Sequence, residues 1–248
     1  MNICIQIEDY VSPFASQLPK VETEDLIYVE KYEADSYDHW MFGSDSHSLI
    51  GKVNSHTLTV QNGATVQPSY GDNYVDLSVK GGNALISQLL DSNVTGFTLT
   101  GLVKPRTSEL STLMGVLGAS STSDGFGLFT VGEKLYATIR PQVSSWDVGI
   151  VLDPAMPVFT SISINKTAGT AVFCAYQDGT FYSKETGNLS YVNSNLPLSI
   201  GNNRYASSVN STAQHFESIL HTKALTVSQI QALAQRMKVR QEHRGVIF

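Results

Sequence analysis

LPLSIGNNRYASSVNSTAQHFESILHTKALTVSQIQALAQRMKVRQEHRGVIF, residues 196–248, is the stretch on which the reading of the fold turns. It opens on a strand-like run ending in Leu198-Ser-Ile-Gly201, passes through a polar loop, and resumes as a strand over Phe216–Leu220. The only convincing helix of the chain follows. Thr226 suits an N-cap, and Gln229 three residues on completes the pattern of a capping box. Leu225 and Ile230 stand at the spacing of a hydrophobic staple. Val227, Ile230, Leu233, Ala234 and Met237 form one apolar stripe, while Arg236, Lys238 and Arg240 crowd the end where the helix dipole favours cations. Gly245 is placed as the stop. A short amphipathic helix closing a strand-rich chain needs an apolar sheet face to lie on.

Upstream, strand signals recur about every 8–12 residues with turn residues between them, as in a β-sandwich. His56–Val60, Tyr74–Leu77, Phe97–Val103, Lys134–Arg140, Val158–Ile164 and Ala171–Tyr176 are such runs. Thr112–Leu117 and Gly125–Val131 read as one hairpin. Asp178-Gly179 marks a second, tighter one. Leu85–Leu90 fits either a short helix or a loop packed on a sheet edge. Residues 1–9 alternate Ile3, Ile5 and Ile7 with polar neighbours, and Pro13 and Pro19 then break the chain. Residues 1–35 are therefore read as an N-terminal arm that adds a strand to the sandwich or docks on another subunit, and residues 36–248 as one domain. The fold class expected is all-β: a two-sheet antiparallel sandwich with one C-terminal helix and a short N-terminal arm.

Composition narrows the function. Charged residues make up 15% of the 248, and the net charge is −6. Phosphate contacts require clustered Lys and Arg, and the basic residues cluster only in the last helix, so nucleic acid is not an expected partner. No run approaches the roughly 18 apolar residues of a membrane span. The N-terminus lacks the basic and apolar regions of a signal peptide. Four Asn-x-Ser/Thr triplets (Asn93, Asn165, Asn188, Asn210) carry little weight without a secretory signal. Cys4 and Cys174 lie far apart, in no metal spacing, and read as buried thiols.

The closing segment resembles that of concanavalin A-like, laminin-G-like jelly rolls. Ile200-Gly201-Asn202, Phe216-Glu217, Ala224-Leu225-Thr226 and Gln229-Ile230, with Ala232 and Leu233, carry the likeness. His39–Phe42 and Gly96–Pro105 fit the same pattern upstream. Asp38-His39-Trp40, Gly51-Lys52-Val53-Asn54 and the Arg-rich helix exit are similar to phage tail-associated proteins with such a domain behind an N-terminal arm. The resemblance implies a non-catalytic virion component, a tail-fibre or baseplate appendage made in the bacterial cytoplasm. It would bind host surface polysaccharide, meet other tail proteins through its arm, and form homo-oligomers.

The same family includes glucanases with Glu-x-Asp-x-x-Glu on one strand face, a geometry that serves a carboxylate pair. Glu33-Ala-Asp35-Ser-Tyr-Asp38 is the nearest match. It ends in the wrong residue, lacks apolar residues between, and stands near the N-terminus where the family's motif is mid-chain. These are read instead as solvated carboxylates. Nucleophile elbows, phosphate loops and His-Glu-x-x-His spacings are absent from the sequence, and His39 reads as a packed or surface residue. No cofactor is expected. Calcium, the one metal with a case, would draw on Asp45, Asp72 and Asn73, turn residues that local hydrogen bonds explain equally well. A sugar site needs an aromatic face and planar polar groups. Three clusters in expected loops supply them: Trp146-Asp147, Asn203-Arg204-Tyr205, and Tyr70 with Asp72-Asn73-Tyr74. The alternatives are a purely structural virion adaptor and a glycoside hydrolase of the same fold.

Overall fold

The computed structural model describes residues 29–61, 67–77, 84–105, 110–117, 124–202 and 213–248. The chain divides into two compact units, Met1–Lys31 and Tyr32–Phe248. Residues 1–28, the bulk of the expected arm and the site of Cys4, lie outside the described residues.

The second unit carries the sheets and the helix. Its strands run in chain order β1 (Asp38–Met41), β2 (Thr59–Val60), β3 (Ser69–Gly71), β4 (Tyr74–Asp76), β5 (Leu85–Leu90) and β6 (Gly96–Pro105). There follow β7 (Ser111–Gly115), β8 (Phe126–Val131), β9 (Lys134–Ile139), β10 (Val143–Val151) and β11 (Val158–Asn165). Then come β12 (Thr170–Gln177), β13 (Thr180–Thr186), β14 (Pro197–Asn202), β15 (Ala213–His221) and the helix α1 (Val227–Glu242). Two sheets result. The first has the order β13-β12-β11-β6-β15-β4-β3, with β1 also paired to β15. The second has the order β10-β9-β8-β7-β14-β5-β2. All pairings are antiparallel except that of β14 with β7. The expected sandwich is the observed one.

Alternation decides which side chains meet between the sheets. On β6, Phe97, Leu99 and Val103 face the second sheet, and Leu102 faces the other way; on β12, Phe173 and Ala175 face inward while Val172, Cys174 and Tyr176 face outward. A single sandwich would leave that outward set in water. The helix α1 covers it: Ile230, Leu233, Ala234 and Met237 pack on Leu102, Phe159, Cys174, Phe216 and Ile219. Each large apolar side chain buried there contributes about 2 kcal/mol. Hence the described residues form two cores, one between the sheets and one beneath the helix.

Both ends of α1 follow the sequence signals. Thr226 and Gln229 exchange the two bonds of a capping box. Main-chain groups just before the cap are pinned to the sheet, because the Leu225 N–H donates to Thr98 Oγ1 and Ser163 Oγ. At the far end Gly245, at φ 75°, reverses the chain so that the Val246 N–H bonds the Gln241 carbonyl at 2.9 Å. Val246 and Phe248 then tuck into the helix core. Asp178 and Gly179, both at positive φ, make the tight turn between β12 and β13.

Two local readings are corrected. Leu85–Leu90 is a strand and neither a helix nor a loop, paired with both β14 and β2. Its apolar residues at 85, 86, 89 and 90 fit a helical period, but the sheet takes Leu85 and Leu89 inward. The Trp146-Asp147 stretch is a strand too, β10, with Trp146, Val148 and Ile150 against the core. That alternation is visible in the sequence.

Candidate functional site

The three sequence clusters do not form one site. Trp146 and Asp147 sit on β10, the edge of the second sheet nearest β13. The Trp146 ring meets Phe173 edge-on at 5.6 Å and carries the Lys184 ammonium 5.1 Å from its centroid. Lys184 also donates to the Asp147 carbonyl at 2.7 Å, and the Asp147 carboxylate accepts from Gly149 N–H at 2.8 Å and Lys134 at 3.3 Å. The Gly149 N–H, ahead of the two lysines, holds that carboxyl below its ordinary range. Trp146 therefore closes an edge of the sandwich, with a cation already on its ring. Tyr70 and Tyr74 lie at the opposite edge of the first sheet, on β3 and β4. Asn203, Arg204 and Tyr205 fall outside the described residues.

The β3–β4 turn builds a recess. Gly71, Asp72, Asn73 and Tyr74 line it with Phe216 and Val246. The Tyr74 ring lies over Gly71 so closely that a Cβ there would stand 2.4 Å from Tyr74 Cζ, so any larger residue would displace the ring. The ring also tilts against Phe216, with centroids 5.7 Å apart. Asn73 Nδ2 donates to the Arg244 carbonyl at 2.9 Å, tying the turn to the chain beyond α1 and leaving Oδ1 as an acceptor. Asp72 is exposed, and among the described residues no group pairs with its carboxylate. Arg244, the cation nearest in sequence to Val246, directs its guanidinium at the Phe42 and Phe216 carbonyls. Burial and the Asp45 carboxylate raise the Tyr70 hydroxyl above its usual value, so a second acid stands near this edge. Sequence reading found Asp72, Asn73 and Tyr74 here, whereas Tyr70, paired with Val75, turns to the other face and packs against the core between the sheets. It missed Gly71, Phe216 and Val246 as lining, because Phe216 and Val246 come to the turn only through β15 and the tuck after α1.

The calcium candidates are separated by role. Asp45 caps a 3-10 turn (Ser46–Leu49) by accepting from the His47 N–H at 2.8 Å. Asn73 is tied to the Arg244 carbonyl. Among the described residues no group of three His, Cys, Asp or Glu side chains is placed to hold a metal.

The carboxylates of the glucanase-like motif are not solvated, Asp35 excepted. Asp38 is fully buried and accepts from the N–H groups of His39, Val53, Asn54 and His56 at 2.8, 3.0, 3.3 and 2.7 Å. Burial raises its carboxyl, but these N–H groups outweigh burial and hold it below the ordinary value. Glu33 is 8% exposed and pairs with Arg236 and Arg240. Arg240 also binds Glu217 at 2.7 Å, and Glu217, fully buried, accepts from Gln241 and lies 2.8 Å from His39 Nε2. Asp35 is exposed and paired with Lys223 at 2.6 Å. His39 is packed, accepting from the Glu33 N–H at Nδ1. Each of these acids has a bond within the protein.

A two-sheet sandwich with a helix on one face and an acceptor-rich recess at one edge defines the class. No protein-family model and no curated protein sequence matches the chain. Among solved structures it is similar in fold to the sialidase of Trypanosoma rangeli, with TM-score 0.57 and 14% identity over 82% of this chain and 33% of that one. It is also similar to the botulinum neurotoxin type G receptor binding domain, with TM-score 0.54 and 10% identity over 82% of this chain and 52% of that one. The botulinum neurotoxin serotype D/C binding domain gives TM-score 0.53 and 13% identity over 80% and 51%. The chain thus spans about half of the toxin domains and a third of the sialidase. At these identities the likeness is one of fold.

Proposed function

We propose that this chain is a non-catalytic, lectin-like module of a bacteriophage tail fibre or baseplate, binding host surface glycan at the β3–β4 recess. The observation that carries the reading is Asp72, an exposed carboxylate without a partner among the described residues, beside the Tyr74 ring and the free Asn73 Oδ1. An aromatic wall offers its face to sugar C–H groups, and the acceptors take hydroxyl protons. Two of the similar folds are binding domains by name. Against catalysis stands the use of Glu33, Asp35 and Asp38 in structural bonds, which leaves that motif without a free acid or base. The virion role rests on the resemblance of Asp38-His39-Trp40, Gly51-Lys52-Val53-Asn54 and the closing helix with its Arg-rich exit to tail-associated proteins. In this reading residues 1–35 meet other tail proteins and the module assembles with further copies of itself.

The test is direct. The purified protein is applied to a glycan array and to host polysaccharide, with reducing-end release measured in parallel. Binding without release, weakened by Asp72→Ala, supports the reading; an array without signal sinks it, and released reducing ends replace it with the hydrolase. Mass spectrometry of purified phage particles and sedimentation of the protein check the virion and oligomer parts.

A further inference from the structure

The chemistry of the recess points past glycan binding in general to a class of glycan. We infer that the β3–β4 recess selects saccharides that are neutral or carry free amines, and rejects acidic ones; the inference rests on the lectin reading. The residues lining the recess bring acceptors and a negative charge. Asp72 supplies two carboxylate oxygens, and Asn73 supplies Oδ1 because its Nδ2 is fixed on the Arg244 carbonyl. Among the described residues no basic side chain lines the recess. Arg244, which passes the same edge, donates its guanidinium to the Phe42 and Phe216 carbonyls and is not among the lining residues.

A ligand that matches such a surface donates hydrogen bonds. Sugar hydroxyls do so, and a sugar ammonium does so with charge assistance. A carboxylate or sulfate group meets acceptors and like charge, with no cation among the lining residues to receive it. The Tyr74 ring, partly exposed and steadied by its contacts with Gly71 and Phe216, gives either kind of sugar an apolar surface.

Calorimetric titration at low salt tests this with three probes: a glucosamine tetramer, an N-acetylglucosamine tetramer and sialyllactose. The glucosamine tetramer is expected to bind about tenfold tighter than the acetylated one, one charge-assisted hydrogen bond being worth about that factor. Asp72→Asn should erase the difference, and added salt should shrink it. Sialyllactose should not bind. Preference for sialyllactose, or glycan binding unchanged in Asp72→Asn, overturns this inference and leaves the lectin reading standing. Failure of all three probes together with a blank glycan array removes both. Asp72 is exposed and bonded to nothing among the described residues, so its variant folds as the parent does, which circular dichroism verifies.

Discussion

Asp38 shows how much one carboxylate organises. Buried beneath the segment 51–56, it satisfies four main-chain N–H groups that would otherwise be orphaned, and Gly51 approaches it so closely that a Cβ would stand 2.0 Å from Asp38 Cγ. The family-like residues Asp38 and Gly51-Lys52-Val53-Asn54 are thus two halves of one contact. Asp38→Ala should destabilise the protein by about 3 kcal/mol, read as a lowered urea midpoint at unchanged m-value. An unaltered midpoint would deny the carboxylate this role. Cys174 offers a second check. Burial, with Glu185 adding to it, pushes its thiol up to about 12, and the side chain is fully buried. In a Cys4→Ser background, thiol reagents should label it only as fast as the protein unfolds; rapid labelling of native protein would contradict the packing beneath α1. In the sequence, Asp38 reads as a solvated acid, because nothing local announces that a segment fifteen residues on will wrap it.

At the scale of the element, α1 is held by its apolar stripe and by ions. Sequence position assigns Arg236 and Arg240 to the helix dipole. Instead Arg236 pairs with Glu33, ahead of β1, and Arg240 bridges Glu33 and Glu217 of β15. Arg240→Ala would strip Glu217 of its arginine and leave Glu33 with Arg236 alone, an expected loss of about 3–5 kcal/mol. Combining it with Glu33→Gln and Glu217→Gln should recover part of that loss, and a strictly additive triple variant would show that the three groups do not interact. Acid acts on the same bonds. Burial raises the carboxyls of Glu33 and Glu217, but hydrogen bonds and charge from Arg236, Arg240 and His39 outweigh it and hold both below their ordinary values. Their contribution is therefore fully present above the unfolded carboxylate range near pH 4.5 and is lost as pH falls through the lower folded values. The urea midpoint should stay level from pH 7 to about 5 and drop below about 4, and Glu217→Gln should flatten part of that drop. The capping box needs no tertiary information, and Thr226→Ala should cost about 1 kcal/mol on the same scale.

At the scale of the molecule, the described residues fold as expected but for two strands, Leu85–Leu90 and β10. β10 carries Trp146, Val148 and Ile150 in period, yet its Ser-Ser and Asp neighbours read as loop. They point the tryptophan to a rim, where in fact it seals an edge. Legible in the residues alone are the two-sheet class, the hairpins at Asp178-Gly179 and between β7 and β8, the helix and both its ends. These are legible because turn residues, capping residues and periodicity act within a few positions of one another. Only the tertiary structure decided which side of the first sheet the helix covers, that Arg240 serves buried acids, and that Phe216 and Val246 join the β3–β4 turn to make a recess. Those facts depend on segments up to about two hundred residues apart meeting in space, as Glu33 and Arg240 do, and no local pattern encodes the meeting.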